Sequence, residues 1–160
     1  MAERWLMRRG FTMAVAGCLI ALSAQAATRQ AGCYSGADIE ADQAVRFQTQ
    51  LMVVSDICRD PAYNNFSQRM REALAAYQRQ LVDHYRRSGG GSAERVFDTF
   101  MTRLANEFSL DAGHQTVTEV CQSGAALLAT ANGFATSADF RRYIAAQTAT
   151  NRSSYQACSQ

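Results

Sequence analysis

The chain contains no lysine; all sixteen of its basic residues are arginine. That absence removes Schiff-base lysines, Ser-x-x-Lys nucleophiles and the phosphate-binding Walker lysine. A single proline and few runs of valine or isoleucine argue against an all-β fold. No Cys-x-x-Cys pair occurs, which speaks against a thioredoxin-type redox site. No Cys-x-x-Cys-His occurs either, so covalent c-type haem has no attachment motif. The cysteines and histidines are scattered rather than clustered as zinc ligands are. Neither Gly-x-Ser-x-Gly nor His-Glu-x-x-His is present, and neither histidine has a nucleophile at a recognisable spacing. No cofactor or metal is therefore expected.

What is present begins with an export signal. Arg4, Arg8 and Arg9 make a basic start, residues 11–22 an apolar run, and Ala24-Gln25-Ala26 a small-x-small cleavage site. The apolar run is too short for a permanent membrane span. Residues 1–26 are read as a signal peptide and residues 27–160 as one domain, a length suited to a single core. The expected location is periplasmic or secreted, with no permanent transmembrane helix in the mature chain. Val15-Ala16-Gly17-Cys18 also resembles a lipobox, so a lipoprotein anchored through Cys18 is the alternative. The apolar Leu19-Ile20-Ala21-Leu22 that follows favours ordinary cleavage. Arg8-Arg9-Gly10-Phe11 has the core of a twin-arginine signal, but Met7 and Thr12 fit its flanks poorly.

Removing the signal changes the electrostatics. The full chain carries a formal +2, yet the signal holds three arginines and one acid, leaving thirteen of each sign. A neutral domain lacks the charge footprint of a nucleic-acid or anionic-membrane binder.

Apolar residues of the mature chain recur at helical spacing. Ala44, Phe47, Leu51, Val54 and Cys58 mark one face of a helix over about residues 38–58, with Ser35 and Asp38 as its capping box. Asp60-Pro61 stops it. Phe66, Met70, Leu74, Tyr77, Leu81 and Tyr85 make the stripe of a second helix over residues 64–87. Gly89-Gly90-Gly91 ends that helix, and Ser92 caps a third carrying Phe97, Phe100 or Met101, Leu104 and Phe108. A fourth spans residues 116–131 with Val117, Cys121, Gly124 and Leu128 inward, and Asn132-Gly133 is its stop. Thr136 and Asp139 cap a shorter fifth, after which the pattern fades beyond Thr148. The expected fold is all-α, an up-and-down helical bundle of four main helices plus a short fifth.

Loss of Cys18 with the signal leaves four cysteines, an even number in an oxidising compartment. In such a bundle the end of the first helix and the start of the fourth share a pole, which pairs Cys58 with Cys121. Cys33 with Cys158 remains, and it requires the tail to turn back.

One surface draws attention. Arg69, Arg71, Arg79, Arg86 and Arg87, with His84, form a candidate interaction face on the second helix. Its expected partner is an envelope protein or glycan. His84 near the helix end can instead serve the helix dipole or act as a general base. Glu40 and Asp42, two residues apart, point to different faces and read as first-turn charges. A triple glycine opening a helix could offer N–H groups to an anion, but no Gly-Lys follows it. His114 reads as a loop residue.

The runs QAVRFQTQLMVVSDIC, FSQRMREALAAYQRQLVDHYRR and FDTFMTRLANEFS resemble small exported bacterial helical proteins of uncharacterised function. The resemblance extends to the Cys58/Cys121 pair and implies no catalytic residue. The expected role is a non-catalytic binding or structural module. A small periplasmic enzyme using His84, or a periplasmic chaperone or inhibitor, are the alternatives.

Overall fold

A computed structural model describes residues 32–89, 91–151 and 154–158. The expected signal peptide and cleavage site, and Cys18, lie outside the described residues. Among those described there are six helices: α1 (Gly36–Cys58), α2 (Ala62–Arg69), α3 (Arg71–Arg87), α4 (Ala93–Gly113), α5 (Val117–Gly133) and α6 (Ser137–Asn151). The protein is all-helical, and no described helix is long and apolar enough to cross a membrane.

α1 starts where its sequence predicts. The Ser35 side chain accepts from the Asp38 N–H, and the Asp38 carboxylate accepts from the Ser35 N–H, closing a capping box. The same reciprocal pairs form between Thr116 and Glu119 at α5 and between Thr136 and Asp139 at α6. Ser92 precedes α4 without capping it; its hydroxyl turns to Glu94 instead. The turn between α3 and α4 does need glycine, because Gly89 and Gly91 have φ of 78° and 62°.

α1 is the central element. It is buried on several faces, because α2, α3, α4, α5 and α6 all pack against it. That explains why Ile39, Ala41, Val45 and Val53 are buried along with the expected Ala44, Phe47, Leu51 and Val54. At its middle, Phe47 meets Phe66 of α2, Phe134 and Phe140, with ring centroids 5.5, 5.9 and 5.7 Å away.

The helix count differs from expectation. The second helix is two, α2 and α3, joined at Met70, whose φ of −99° and ψ of 8° depart from helix. Neither glycine nor proline stands there. The break lets Phe66 reach the Phe47 cluster while Leu74, Tyr77 and Leu81 stay buried further along, so packing overrides local propensity. α5 runs through Gly133, and the extended Phe134 ends it. α6 runs to Asn151 and is nearly as long as α5, so the fifth helix is not short. Val117, expected inward, is 62% exposed.

Contacts at the ends fix the path of the chain. Cys58, the last residue of α1, is disulfide-bonded to Cys121 near the start of α5, with Cα atoms 5.6 Å apart. At the other pole Cys33 is bonded to Cys158, with Cα atoms 5.0 Å apart. The tail does turn back there. Tyr34 N–H donates to the Gln156 carbonyl at 2.9 Å, and Cys158 N–H donates to the Tyr34 carbonyl at 3.0 Å. α3 also ends at this pole, where Arg87 reaches Asp38.

Candidate functional site

Where α1 starts, Tyr34, Asp38, Asp42 and Arg46 follow one another at four-residue spacing, so they stack along one side of the helix. Both carboxylates are buried, Asp38 at 1% exposure and Asp42 at 2%. Buried charge is tolerated only when paired and hydrogen-bonded, and each carboxylate here is.

Asp38 accepts from the Ser35 N–H and hydroxyl at 2.9 and 2.7 Å, from Gln80 Nε2 at 2.6 Å and from an Arg87 Nη at 2.7 Å. Burial alone pushes its carboxyl up. The hydrogen bonds from Ser35, Gln80 and Arg87 outweigh that and hold it down at about 2. His84 Nδ1 lies 3.4 Å from Asp38 Oδ2. The imidazole is 3% exposed and stacked on the Tyr34 ring at a centroid distance of 4.1 Å. His84 is thus an interior residue, contrary to the surface position read from sequence.

Asp42 accepts from Arg46 Nε at 2.7 Å and from the Tyr155 hydroxyl. Burial and the Asp42 charge push the Tyr155 phenol up to about 12. Tyr155 belongs to the tail, which is tied further where Asn151 donates to Gln43 at 3.1 Å. From α3, Tyr77 donates to Glu40 of α1 at 2.6 Å; burial and that carboxylate raise its phenol strongly.

Beside this polar lattice opens a cleft of about 510 Å³ between α1, α3, α4 and the tail. Arg46, Arg95, Arg103, Tyr34, Tyr85 and Tyr155 are among its lining, and Asp42 is its only acidic member among the described residues. Burial raises the Tyr34 and Tyr85 phenols, so both stay protonated. The Arg46 guanidinium also sits 5.9 Å from the Phe100 ring centroid.

The arginine face expected on the second helix is divided. The break at Met70 separates Arg69 from the rest, and Arg69 donates to the Ala131 carbonyl at 3.1 Å. Arg86 pairs with Asp83 and Glu94, and Arg87 with Asp38. Arg71 and Arg79 are exposed and make no ion pair among the described residues. With His84 buried, the six do not form one exposed surface. His114 is exposed at the end of α4, as read.

The groups that sequence reasoning missed are Tyr34, Asp38 and Asp42 as a buried stripe, and Arg46, Arg95 and Arg103 as a set. A four-residue recurrence of polar residues on a helix apolar on its other sides was the available signal. The Ser35, Asp38 and His84 trio has the residue types of a hydrolytic triad but the wrong connectivity. Ser35 donates to the carboxylate and caps α1; it is not presented to the imidazole. No group of three or more metal-ligating side chains gathers among the described residues. No protein-family model matches the chain, and neither a curated protein nor a solved structure matches it.

Proposed function

We propose that the protein is an exported binding module of the cell envelope. Its helices run up and down about α1, with α2 and α3 in the place of the expected second helix and α6 as the fifth. It works by recognition and not by catalysis. The observation that carries this reading is the cleft beside the buried lattice. It gathers guanidinium and phenol groups suited to holding a ligand, and among the described residues it includes no histidine, cysteine or serine–base pair.

Two further features support it. Disulfides at both poles suit an oxidising compartment, which fits a periplasmic or secreted protein whose residues 1–26 are a signal peptide. Asp38, held ionised by three neighbouring side chains and one N–H, is fixed in place as a structural anchor. The partner is an envelope protein or glycan, and its point of contact moves from the second-helix arginines to this cleft.

The His84 Nδ1 contact with Asp38 favours a second reading, a small enzyme that uses His84 as base. A base must reach a substrate proton, and burial of the imidazole under Tyr34 weighs against it. The chaperone reading draws less support. Leu110 and Val117 are the exposed large apolar residues among those described, two residues where a broad apolar patch needs more.

The test is capture of envelope extract on immobilised, oxidised mature protein. A partner retained saturably and competed off by soluble protein is the expected result. Turnover of an extract component, lost in His84→Gln at unchanged Tm, would contradict the reading.

A further inference from the structure

The cleft has an anchored floor. Arg46 Nε is engaged by the buried Asp42, which fixes the plane of the guanidinium, and the two Nη atoms make no hydrogen bond among the described residues. That leaves a fork of donors at the cleft, the geometry that matches a carboxylate or phosphate bidentately. The opposite wall is α4. Arg95, Thr99 and Arg103 lie at four-residue spacing on it, and all three line the cleft.

Arg95 and Arg103 are exposed and make no ion pair among the described residues. Arg103 is close enough to Tyr85 to favour ionisation of its phenol. Among the described residues, three guanidinium groups against one acid leave the cleft with an excess of two positive charges, while residues 27–160 are neutral as a whole. Arg95, Thr99 and Arg103 also line a neighbouring groove on α4 together with Asp98 and Glu107, and Glu107 is within electrostatic reach of Arg46, but neither acid lines the cleft. The cleft also falls within the size range of small-molecule sites, about 300 to 1,000 Å³. Bare inorganic ions are far smaller, and the tyrosine rings offer flat surface for an organic body.

We infer that this cleft binds a small organic anion, a carboxylate or a phosphate ester, gripped between Arg46 on α1 and the Arg95/Arg103 pair on α4. The inference rests on the binding-module reading and gives it a ligand class. The anchored Arg46 supplies orientation, and the two α4 arginines supply the remaining charge.

The experiment is an NMR titration of the oxidised mature protein. Citrate, glucose 6-phosphate and inorganic phosphate are the probes, at constant ionic strength set with chloride. Saturable shifts confined to the Nε–H signals of Arg46, Arg95 and Arg103 and to the tyrosine rings are expected with at least one organic probe. Citrate alone would assign a carboxylate ligand, and glucose 6-phosphate alone a phosphate ester. Arg95→Ala/Arg103→Ala should weaken that probe at least tenfold at unchanged Tm, while Arg141→Ala/Arg142→Ala leaves it unchanged. No localised saturable shift with any probe, saturation by inorganic phosphate alone, or equal affinity in both double variants would overturn the inference. Failure here is distinguishable from failure of the binding-module reading. A partner captured saturably by the wild-type protein while none of the probes gives a localised saturable shift keeps the module and rejects the anion site.

Discussion

Asp38 carries more of the local structure than any other single polar residue described. It caps α1, fixes Gln80 and Arg87 of α3, and stands beside His84. Asp38→Asn keeps the shape and removes the charge, leaving an amide N–H₂ facing donors. The expected cost is about 2 to 4 kcal/mol, the range for breaking a buried charged network, read from urea unfolding at pH 7. The pH dependence has a definite sign. The folded carboxyl sits at about 2, below its ordinary 3.8, so its stabilisation is complete above 3.8 and is lost as pH falls toward 2. The stability gap between wild type and Asp38→Asn should narrow across that window. A gap constant from pH 7 to pH 2 would contradict the assigned role. Sequence alone made Asp38 a helix cap and Asp42 a first-turn charge, and the first of these is correct. Burial of the pair was not legible, because it depends on which helices surround α1. Tyr155, the donor to Asp42, lies 113 residues away in sequence.

At the scale of elements, α1 and α5 approach closely at Gly124. A Cβ built there would lie 2.5 Å from Val54 Cγ1. Valine is β-branched and stiff, so it cannot swing clear. Gly124→Ala should destabilise the protein by about 1 to 3 kcal/mol despite the gain in helix propensity. Adding Val54→Ala should recover part of that loss, and a double variant no more stable than Gly124→Ala would show that the contact does not limit the approach. This glycine was legible as inward-facing from its place in the α5 stripe. The stripes of α1 and α3 were legible for the same reason: a 3.6-residue period survives whatever the neighbours are. The break at Met70 was not, since FSQRMREAL contains no breaker. It arises from Phe66 packing against Phe47 and Phe140, contacts that join distant parts of the chain. The extension of α6 past Thr148 was missed because its alanines and threonines carry little apolar signal.

For the whole molecule, the two disulfides close the chain at opposite poles. Cys58–Cys121 spans a separation of 63 residues and Cys33–Cys158 one of 125. On the loop-entropy model these constrain the unfolded chain by about 4 and about 5 kcal/mol. Cys33→Ser/Cys158→Ser should therefore lower the unfolding free energy by several kcal/mol. It should also loosen the tail that carries Tyr155 over Asp42, which hydrogen exchange at the amides of Tyr34 and of position 158 would detect. Protection of those amides equal to wild type would show that the tail needs no cross-link. The Cys58–Cys121 pairing was legible from helix order. The Cys33–Cys158 pairing was left needing a turned-back tail, which the pairing of Tyr34 with Gln156 and Cys158 supplies.

The central claim is that this is an exported domain cross-linked at both ends. Its most direct test is non-reducing mass spectrometry with peptide mapping of the protein recovered from the cell envelope. The account predicts a chain beginning after Ala26 whose four cysteines are oxidised, with peptides linking Cys33 to Cys158 and Cys58 to Cys121. Four free thiols, or an uncleaved chain recovered only from the cytoplasm, would contradict it.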